Sequence, residues 1–110
     1  MLTYLAIPYS HKDPSIRQQR FEAVNRVAAK LINEGHLIFS PISHSHHIAT
    51  EHGLSGGWEF WKRHDEAMLK ACSRLIVLKL DGWHESVGVR AEIEFATKHG
   101  IQITFMEYEE

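Results

Sequence analysis

Leu75-Ile76-Val77-Leu78-Lys79-Leu80-Asp81-Gly82 is the stretch that decides the fold of this chain. A nearly continuous run of aliphatic residues is typical of a strand buried on both faces of a parallel sheet. A helix is predicted to follow over residues 86–99, because apolar side chains recur there at helical spacing and Gly100 can end it. A buried strand that leads directly into a helix predicts an α/β fold.

The rest of the chain alternates between strands and helices in the same way. Further strands are predicted over residues 2–7, 36–40 and 101–105, and further helices from the Asp13-Pro14 cap to Gly35 and over residues 58–72. Residues 41–57 are predicted to be a long connection that holds a serine-histidine cluster and three glycines. We expect one small, doubly wound α/β domain over residues 1–110, flavodoxin-like or Rossmann-like, with parallel strands in the order 2-1-3-4 and helices on both faces.

Composition limits the class of protein. The chain has 110 residues, of which 44% are hydrophobic and 24% charged, which suits a single core. Its formal net charge of -2 and its pI near 6.5 argue against binding to a nucleic acid polymer. Cys72 is the only cysteine, so no intramolecular disulfide can form and a reducing, cytoplasmic compartment is expected. The N-terminus has no signal-peptide pattern and no long apolar span, so we expect no membrane partner.

A carboxylate occupies a position in the third predicted helix where a core residue is expected. At about 100° per residue, Val89, Ile93 and Ala96 form the buried stripe. Glu92 falls beside them, in the first turns of the helix, where the helix dipole and spare amide groups favour an ionised carboxylate. Two interpretations are open. Glu92 is either a reactive group that attacks an electrophilic carbon, or a border residue whose stem packs while its head reaches water or an arginine.

The sheet topology predicts where a ligand binds. Ligands of open α/β sheets bind outside the carboxyl ends of the strands, where the strand order reverses, which here lies between strands one and three. The residues expected there follow strand one, follow strand three or begin the third helix: Tyr9, Ser10, Asp81, Trp83, Ser86, Gly88 and Glu92. Trp83 has two interpretations, since it can stack on a base or cover the edge of the sheet.

Three segments of the chain resemble one known enzyme superfamily. They are Tyr4-Leu5-Ala6-Ile7-Pro8-Tyr9-Ser10, the pair His64-Asp65 with Met68, Leu69 and Cys72, and Ser86-Val87-Gly88-Val89-Arg90-Ala91-Glu92 with Ala96. In these segments the chain is similar to the nucleoside 2-deoxyribosyltransferase superfamily, which includes the deoxynucleoside 5′-monophosphate N-glycosidases. The resemblance covers most of the chain, and its third segment is the most specific.

The resemblance implies roles for individual residues. It makes Glu92 the nucleophile that attacks the anomeric carbon of the sugar, and Asp65 the group that handles the proton of the departing base, which parallels retaining glycoside hydrolysis. It implies that Ser86 holds a 5′-phosphate, with Gly88 allowing helix amides to approach. The implied reaction is hydrolysis or transfer at the N-glycosidic bond of a nucleoside or nucleoside 5′-monophosphate. The resemblance also implies a homodimer or homotetramer that needs no cofactor.

Several of these residues have a second interpretation. Tyr9 and Ser10 are predicted to contact sugar or phosphate, although Ser10 also fits an ordinary entry to the first helix. Trp58 and Trp61 are expected to pack, or to contact a second subunit, rather than to bind a ligand. Asp65, taken without the resemblance, fits an ordinary polar position in a helix.

The histidines of residues 43–47 suggest a zinc site, because imidazole is a good zinc ligand. No Cys-x-x-Cys or His-Glu-x-x-His pattern accompanies them, so we expect no metal and favour a contact between substrate and His44 or His46. Two alternative functions stay open. One is a non-catalytic nucleotide-binding or sensor module, suggested by Ile7 at a position where the superfamily commonly has glycine. The other is a metal hydrolase built on the histidines.

Overall fold

The computed structural model describes residues 1–109. Its strands are β1 (Leu2–Ala6), β2 (Leu37–Phe39), β3 (Arg74–Lys79) and β4 (Gln102–Glu107). Its helices are α1 (Pro14–Asn33), α2 (Pro41–His52), α3 (Trp58–Lys70) and α4 (Val87–Lys98), with a turn of 3₁₀ helix at Trp83–Glu85. The order along the chain is β1-α1-β2-α2-α3-β3-α4-β4. Within these residues, no helix has the length and apolarity needed to cross a bilayer.

The strands within residues 1–109 form one parallel sheet in the order β2-β1-β3-β4, which confirms the predicted topology. The central strands β1 and β3 are almost entirely buried, because each has a neighbouring strand on both sides. In register, Tyr4 of β1 lies between Phe39 of β2 and Leu75 of β3. The segments that follow β1 and β3 therefore begin side by side at the carboxyl edge of the sheet.

Side chains alternate between the two faces of β1, and each face has its own core. Leu5 packs against α1 on one face. Its neighbours in sequence, Tyr4 and Ala6, share the other core with Val89 and Ala96 of α4. Helices thus cover both faces, as predicted for a doubly wound sheet.

The first helix begins at its predicted capping residue, Asp13, and the last begins after Ser86, where the predicted helix starts. The side chain of Asp13 accepts a hydrogen bond from the Ser15 amide at 2.9 Å, and Pro14 lies in the first turn of α1. The side chain of Ser86 accepts a hydrogen bond from the Val89 amide at 3.2 Å. Because this cap comes soon after β3, the N-terminus of α4 lies near the carboxyl edge of the sheet.

The long connection predicted over residues 41–57 is wrong for most of its length, because Pro41–His52 form α2. The side chain of Ser40 accepts a hydrogen bond from the Ser43 amide at 3.3 Å, and a proline follows this cap just as it does at α1. Gly53 ends α2 in the left-handed conformation, with φ of 68°. Buried Ser45 and His46 are polar residue types, so the sequence of α2 lacks a clear apolar periodicity. The serine cap followed by proline was the sequence signal that marked the start of this helix. The true connection is residues 53–57.

Other boundaries differ from the prediction by a few residues at most. The helix predicted over residues 58–72 ends at Lys70, and the strand predicted over residues 36–40 contains only residues 37–39. The last strand, predicted over residues 101–105, runs from Gln102 to Glu107. These shifts leave the topology unchanged.

Candidate functional site

A cavity of about 470 Å³ opens at the carboxyl end of β1. Its walls come from the segment after β1, from α2, from α3 and from the N-terminus of α4. It lies where the strand order reverses, as expected for a doubly wound sheet. Six of the residues predicted for the site line this cavity: Tyr9, Ser10, Asp65, Ser86, Gly88 and Glu92. The other three, His44, Asp81 and Trp83, do not line it.

Glu92 lies on the cavity wall with only 5% of its surface exposed. Its Oε2 atom accepts a hydrogen bond from the hydroxyl of Tyr4, which is wholly buried in β1. Burial raises the pKa of the Glu92 carboxyl to about 8, while the Tyr4 hydrogen bond lowers it and the negative charge of Asp65 raises it. In the free protein the carboxyl is therefore mostly protonated at neutral pH.

This protonation corrects the expectation that the helix N-terminus keeps Glu92 ionised. Counted from Val87, Glu92 is the sixth residue of α4 and lies beyond the first turn, where the favourable effect of the helix dipole is concentrated. The loss of hydrating water around a buried carboxylate outweighs what remains of that effect. An ionised Glu92 is thus a minor form in the absence of a ligand.

Asp65 brings a second carboxyl to the same cavity. It lies on α3 with 8% of its surface exposed, and burial raises the pKa of its carboxyl above the usual value of 3.8. His64 Nδ1 lies 3.4 Å from Asp65 Oδ1 and acts against that rise in pKa. The negative charge of Asp65 also raises the pKa of Glu92, so the protonation of Asp65 affects that of Glu92.

His44 lies beside this pair but outside the cavity. Its ring stacks on that of His64, with a centroid distance of 5.3 Å and an interplanar angle of 3°. The positive charge of His44 is one of the influences that lower the pKa of Asp65. His44 is therefore placed to act on Asp65 through His64 and the local field rather than by contact with a ligand in the cavity.

His46, the other candidate histidine, is buried behind Tyr9. Its Nδ1 atom lies 2.5 Å from the Tyr9 hydroxyl, and its Nε2 atom lies 3.0 Å from Oε1 of Gln18. Its ring stacks on Phe21 at a centroid distance of 4.1 Å. Burial lowers the pKa of the imidazole, which favours its neutral form. His46 therefore positions Tyr9, which lines the cavity.

The three clustered histidines do not converge. His44 stacks on α3, His46 is buried behind Tyr9, and exposed His47 has its Nδ1 atom 3.7 Å from Oε1 of Glu51. In the described part of the chain, no group of three histidine, cysteine, aspartate or glutamate side chains is arranged to hold a metal ion.

Trp58 and Trp61 line the cavity, although packing or a subunit contact was expected for both. With Asp65 they occupy positions i, i+3 and i+7 of α3, which share one face of a helix. The indole Nε1 of Trp61 donates a hydrogen bond to the Ser55 carbonyl at 2.7 Å, which holds the ring against the connection between α2 and α3. Their spacing from Asp65 is the sequence signal that links both tryptophans to the site.

Tyr4 is a site residue that the sequence prediction missed, because it was treated only as part of the first strand. A tyrosine in a strand buried on both faces has a hydroxyl that needs a partner. Tyr4 shares with Ala6 the face of β1 that packs on α4. Its partner there is Glu92. The residue type within an apolar strand was the available signal.

Asp81 and Trp83 lie away from the cavity. The backbone carbonyl of Asp81 accepts a hydrogen bond from Nη2 of Arg20 at 3.0 Å, and its side chain is exposed. Trp83 packs on Phe105 of β4 with a centroid distance of 5.6 Å, so it covers the edge of the sheet. Gly82, with φ of 85°, makes the turn after β3 that leads into the 3₁₀ helix and places Trp83 against β4.

The N-terminus of α4 forms another wall of the cavity. Ser86, Val87 and Gly88 line it. The amides of Val87 and Gly88 have no acceptor within the helix, as is usual for the first helical residues, and are available to a ligand. Glu85 also lines the cavity, and its exposed carboxylate lies 3.6 Å from Nε2 of His84.

Acidic side chains dominate the charge of the cavity. Four carboxyl groups line it, those of Glu59, Asp65, Glu85 and Glu92. Within residues 1–109, none of its lining residues is a lysine, arginine or histidine. The cavity therefore favours an uncharged or positively charged group over an anion.

Comparison with known proteins identifies a family but no activity, substrate or ligand. The model of a family described as a domain of unknown function (DUF1937) matches residues 1–108. No curated protein matches the sequence. The function must therefore be inferred from the geometry of the site.

Proposed function

Since the chain belongs to the DUF1937 family, whose description names no activity, we propose from the site itself that the protein cleaves or transfers an N-glycosidic bond. The substrate is a nucleoside or nucleoside 5′-monophosphate, and Glu92 is the nucleophile. The observation that carries this proposal is the pair of buried carboxyls, Glu92 and Asp65, on the wall of one cavity. Two such carboxyls are what glycosidic bond cleavage uses. The resemblance to the nucleoside 2-deoxyribosyltransferase superfamily supports the same chemistry.

The size and walls of the cavity suit a nucleoside. Its volume of about 470 Å³ is within the ~300–1,000 Å³ typical of small-molecule sites. Trp58, Trp61 and Tyr9 supply aromatic surface for a heterocyclic base. Ser10 and Ser86 supply hydroxyls for a sugar. Among the described residues that line the cavity, no lysine, arginine or histidine is present to pair with the carboxyl groups.

In the first step, the Glu92 carboxylate attacks the anomeric carbon and forms a C–O bond. The C–N bond to the base breaks, and its electron pair stays on the base nitrogen. The Asp65 carboxyl gives its proton to the base, which leaves as a neutral molecule. The sugar is then held as an ester of Glu92.

In the second step, water attacks the anomeric carbon of this ester. Asp65, now a carboxylate, takes a proton from the water, and the Glu92 carboxylate leaves. The products are the free sugar and the original form of both carboxyls. When a second base replaces water as the attacking group, the same steps give transfer instead of hydrolysis.

The protonation of the pair sets the pH range of this reaction. The mechanism needs one proton on the pair, located on Asp65, whereas the free protein keeps it mainly on Glu92. With a pKa of about 8, only a minor fraction of Glu92 is ionised at pH 7. Positive charge that develops on the sugar in the transition state favours the ionised form, and Tyr4 stabilises it by its hydrogen bond.

The second candidate function is a non-catalytic nucleotide-binding or sensor module. One observation favours it: a carboxyl held protonated at neutral pH is a hydrogen-bond donor and not a nucleophile. Such a module uses the same cavity and the same aromatic walls, but it releases no base.

The deciding experiment follows base release by chromatography after the protein is incubated with ribo- and deoxyribonucleosides and their 5′-monophosphates. The test variant is Glu92→Gln, which keeps the shape of the side chain but has no negative charge. The matched control is Glu94→Gln, an exposed position two residues further along α4. We expect wild type and Glu94→Gln to release base, and Glu92→Gln to be at least about 100-fold slower.

Each outcome has a definite meaning. Base release that persists in Glu92→Gln contradicts the assignment of the nucleophile. No release from any compound by wild type overturns the enzymatic proposal, and a rise in melting temperature with the same compounds then supports the binding module.

A further inference from the structure

A second cavity lies next to the first and has the opposite charge. Its volume is about 890 Å³, and it lies between the segment after β1, the start of α1 and the end of α2. The cationic or ionisable side chains of His11, Lys12 and Arg17 line it. Among its lining residues within the described chain there is no aspartate or glutamate. This basic cavity therefore favours an anion, unlike its acidic neighbour.

The two cavities share one wall. Five residues line both of them: Tyr9, Ser10, Ala49, Gly56 and Gly57. The hydroxyl of Ser10 donates a hydrogen bond to the Gly56 carbonyl at 3.2 Å, which ties together the two segments of this wall. A single molecule that passes over the wall can place one end among carboxyls and the other among cations.

Arg17 is the best-placed cation of the basic cavity. It is half-buried, and its Nη1 atom donates a hydrogen bond to the His11 carbonyl, which fixes the side chain. Its guanidinium lies close enough to the Tyr9 hydroxyl to act on the pKa of that group. No salt bridge between described residues includes Arg17, although its positive charge is one of the influences that lower the pKa of the nearby Asp13 carboxyl, which caps α1. Because a guanidinium carries several N–H donors, those that are not used by the His11 carbonyl and the Tyr9 hydroxyl are available to a ligand.

The N-terminus of α1 adds to this field. Pro14, at the start of that helix, lines the basic cavity, and α1 is 20 residues long. The positive end of its dipole thus lies beside Lys12 and Arg17, although the negative charge of the Asp13 carboxylate that caps α1 offsets part of this field. The attraction for an anion in this cavity therefore comes mainly from the side chains of Arg17 and Lys12.

Resting on the proposed function, we propose that the basic cavity is a phosphate subsite, in which Arg17 and Lys12 bind the 5′-phosphate group of a nucleotide whose base and sugar occupy the acidic cavity. The substrate class is then a nucleoside phosphate rather than a free nucleoside. The phosphate lies on the α1 side of Tyr9 and not at Ser86.

The test is calorimetric binding at one fixed salt concentration, with the Glu92→Gln protein so that turnover does not interfere. The probes are four deoxynucleosides, with their 5′-mono- and diphosphates. We expect the phosphates to bind about tenfold more tightly than the nucleosides. Adding Arg17→Gln and Lys12→Gln should reduce this advantage to less than about threefold, while nucleoside affinity stays within about twofold.

The matched control is Lys30→Gln, which removes one positive charge from the same helix, about 20 Å from Arg17 along the axis. This control should keep the advantage of the phosphates. Retention of the advantage in Arg17→Gln with Lys12→Gln overturns the proposal, as does its loss in Ser86→Ala. Equal binding of nucleosides and phosphates, or no binding of any probe, overturns it as well.

This test separates the subsite from the proposed reaction. Binding of phosphates that depends on Arg17, together with no base release by wild type, supports the subsite and rejects the glycosidase. Base release from nucleosides and nucleotides at equal rates, together with equal binding, supports the glycosidase and rejects the subsite.

Discussion

The Tyr4 hydroxyl donates a hydrogen bond to Oε2 of Glu92 and so joins the central strand β1 to α4 inside the core. Within residues 1–109, every buried side-chain nitrogen or oxygen has a hydrogen-bond partner, and the Tyr4 hydroxyl has its partner in Glu92. Because each residue satisfies the other, a change at either one affects both stability and the chemistry of the cavity.

Tyr4→Phe should destabilise the protein and raise the pKa of Glu92 further. The variant keeps the ring but removes the donor that lowers that pKa, and it leaves a buried carboxyl with one partner fewer. We expect the free energy of unfolding to fall by about 1–3 kcal/mol, measured by urea denaturation at pH 7.

The control for this variant is Tyr108→Phe, where the lost hydroxyl accepts a hydrogen bond from Arg26 at 2.6 Å near the chain end. Its stability should change by less than about 0.5 kcal/mol. An equal decrease in the free energy of unfolding in the two variants would show that the hydrogen bond between Tyr4 and Glu92 stabilises the protein no more than a surface hydrogen bond does.

Glu92→Gln should become more stable than wild type as pH rises. The folded-state pKa of about 8 is above the usual 4.5, so folding favours the protonated carboxyl. That contribution is fully present below pH 4.5 and is lost progressively as pH rises through 8. Relative to Glu92→Gln, wild type should lose on the order of 4 kcal/mol between pH 5 and pH 9 in urea denaturation.

Glu94→Gln serves as the comparison, because Glu94 is exposed on the same helix. Its stability should follow that of wild type across the pH range. A constant difference between wild type and Glu92→Gln from pH 5 to pH 9 would contradict the raised pKa.

The rate of base release should have a bell-shaped dependence on pH. The reaction needs one proton on the pair of Glu92 and Asp65: with two protons there is no nucleophile, and with none there is no acid. The raised pKa of Asp65 places the acidic limb above 3.8, and that of Glu92 places the alkaline limb near 8. Asp65→Asn should abolish the alkaline limb, and a rate that keeps rising above pH 9 in wild type would contradict this assignment.

Trp58→Ala should weaken nucleoside binding without a comparable loss of stability. The Trp58 ring lines the acidic cavity and is only partly buried. Stacking of a base on an aromatic ring contributes about 1–3 kcal/mol, so we expect affinity to fall at least fivefold in calorimetry. Phe60→Ala is the control, because Phe60 is 54% exposed and does not line the cavity. Similar affinities of the two variants would place the base elsewhere.

Most of the fold followed from short-range signals. The apolar runs of the strands and the helical spacing between them predicted a doubly wound α/β fold, and the strand order and the helices on both faces followed from that fold. The second helix was missed because buried histidine and serine do not count as apolar in a periodicity, even though His46 packs on Phe21 as a core residue does. Tertiary packing, rather than residue class, decided that segment.

The site residues that could be predicted are those whose residue type is unusual for their position in a helix or strand. Glu92 and Asp65 have residue types that are unusual for buried helix positions, and both line the cavity. Asp81 and Trp83 follow the correct strand, but the turn at Gly82 takes Trp83 to the β4 edge. The protonation of Glu92 was not predictable, because it depends on how much water the folded chain excludes.

The presence of α2 where a connection was expected has a consequence for the thermodynamics of binding. Ordering a loop around a ligand costs about 1–2 kcal/mol of backbone entropy for each residue fixed. Because Ser45 and Ala49 stand on a helix, their part of the cavity is already ordered before any ligand arrives. The irregular parts of the cavity wall are the segment after β1 and residues 53–57, so a small ligand has to order less of the chain than a loop over residues 41–57 would require.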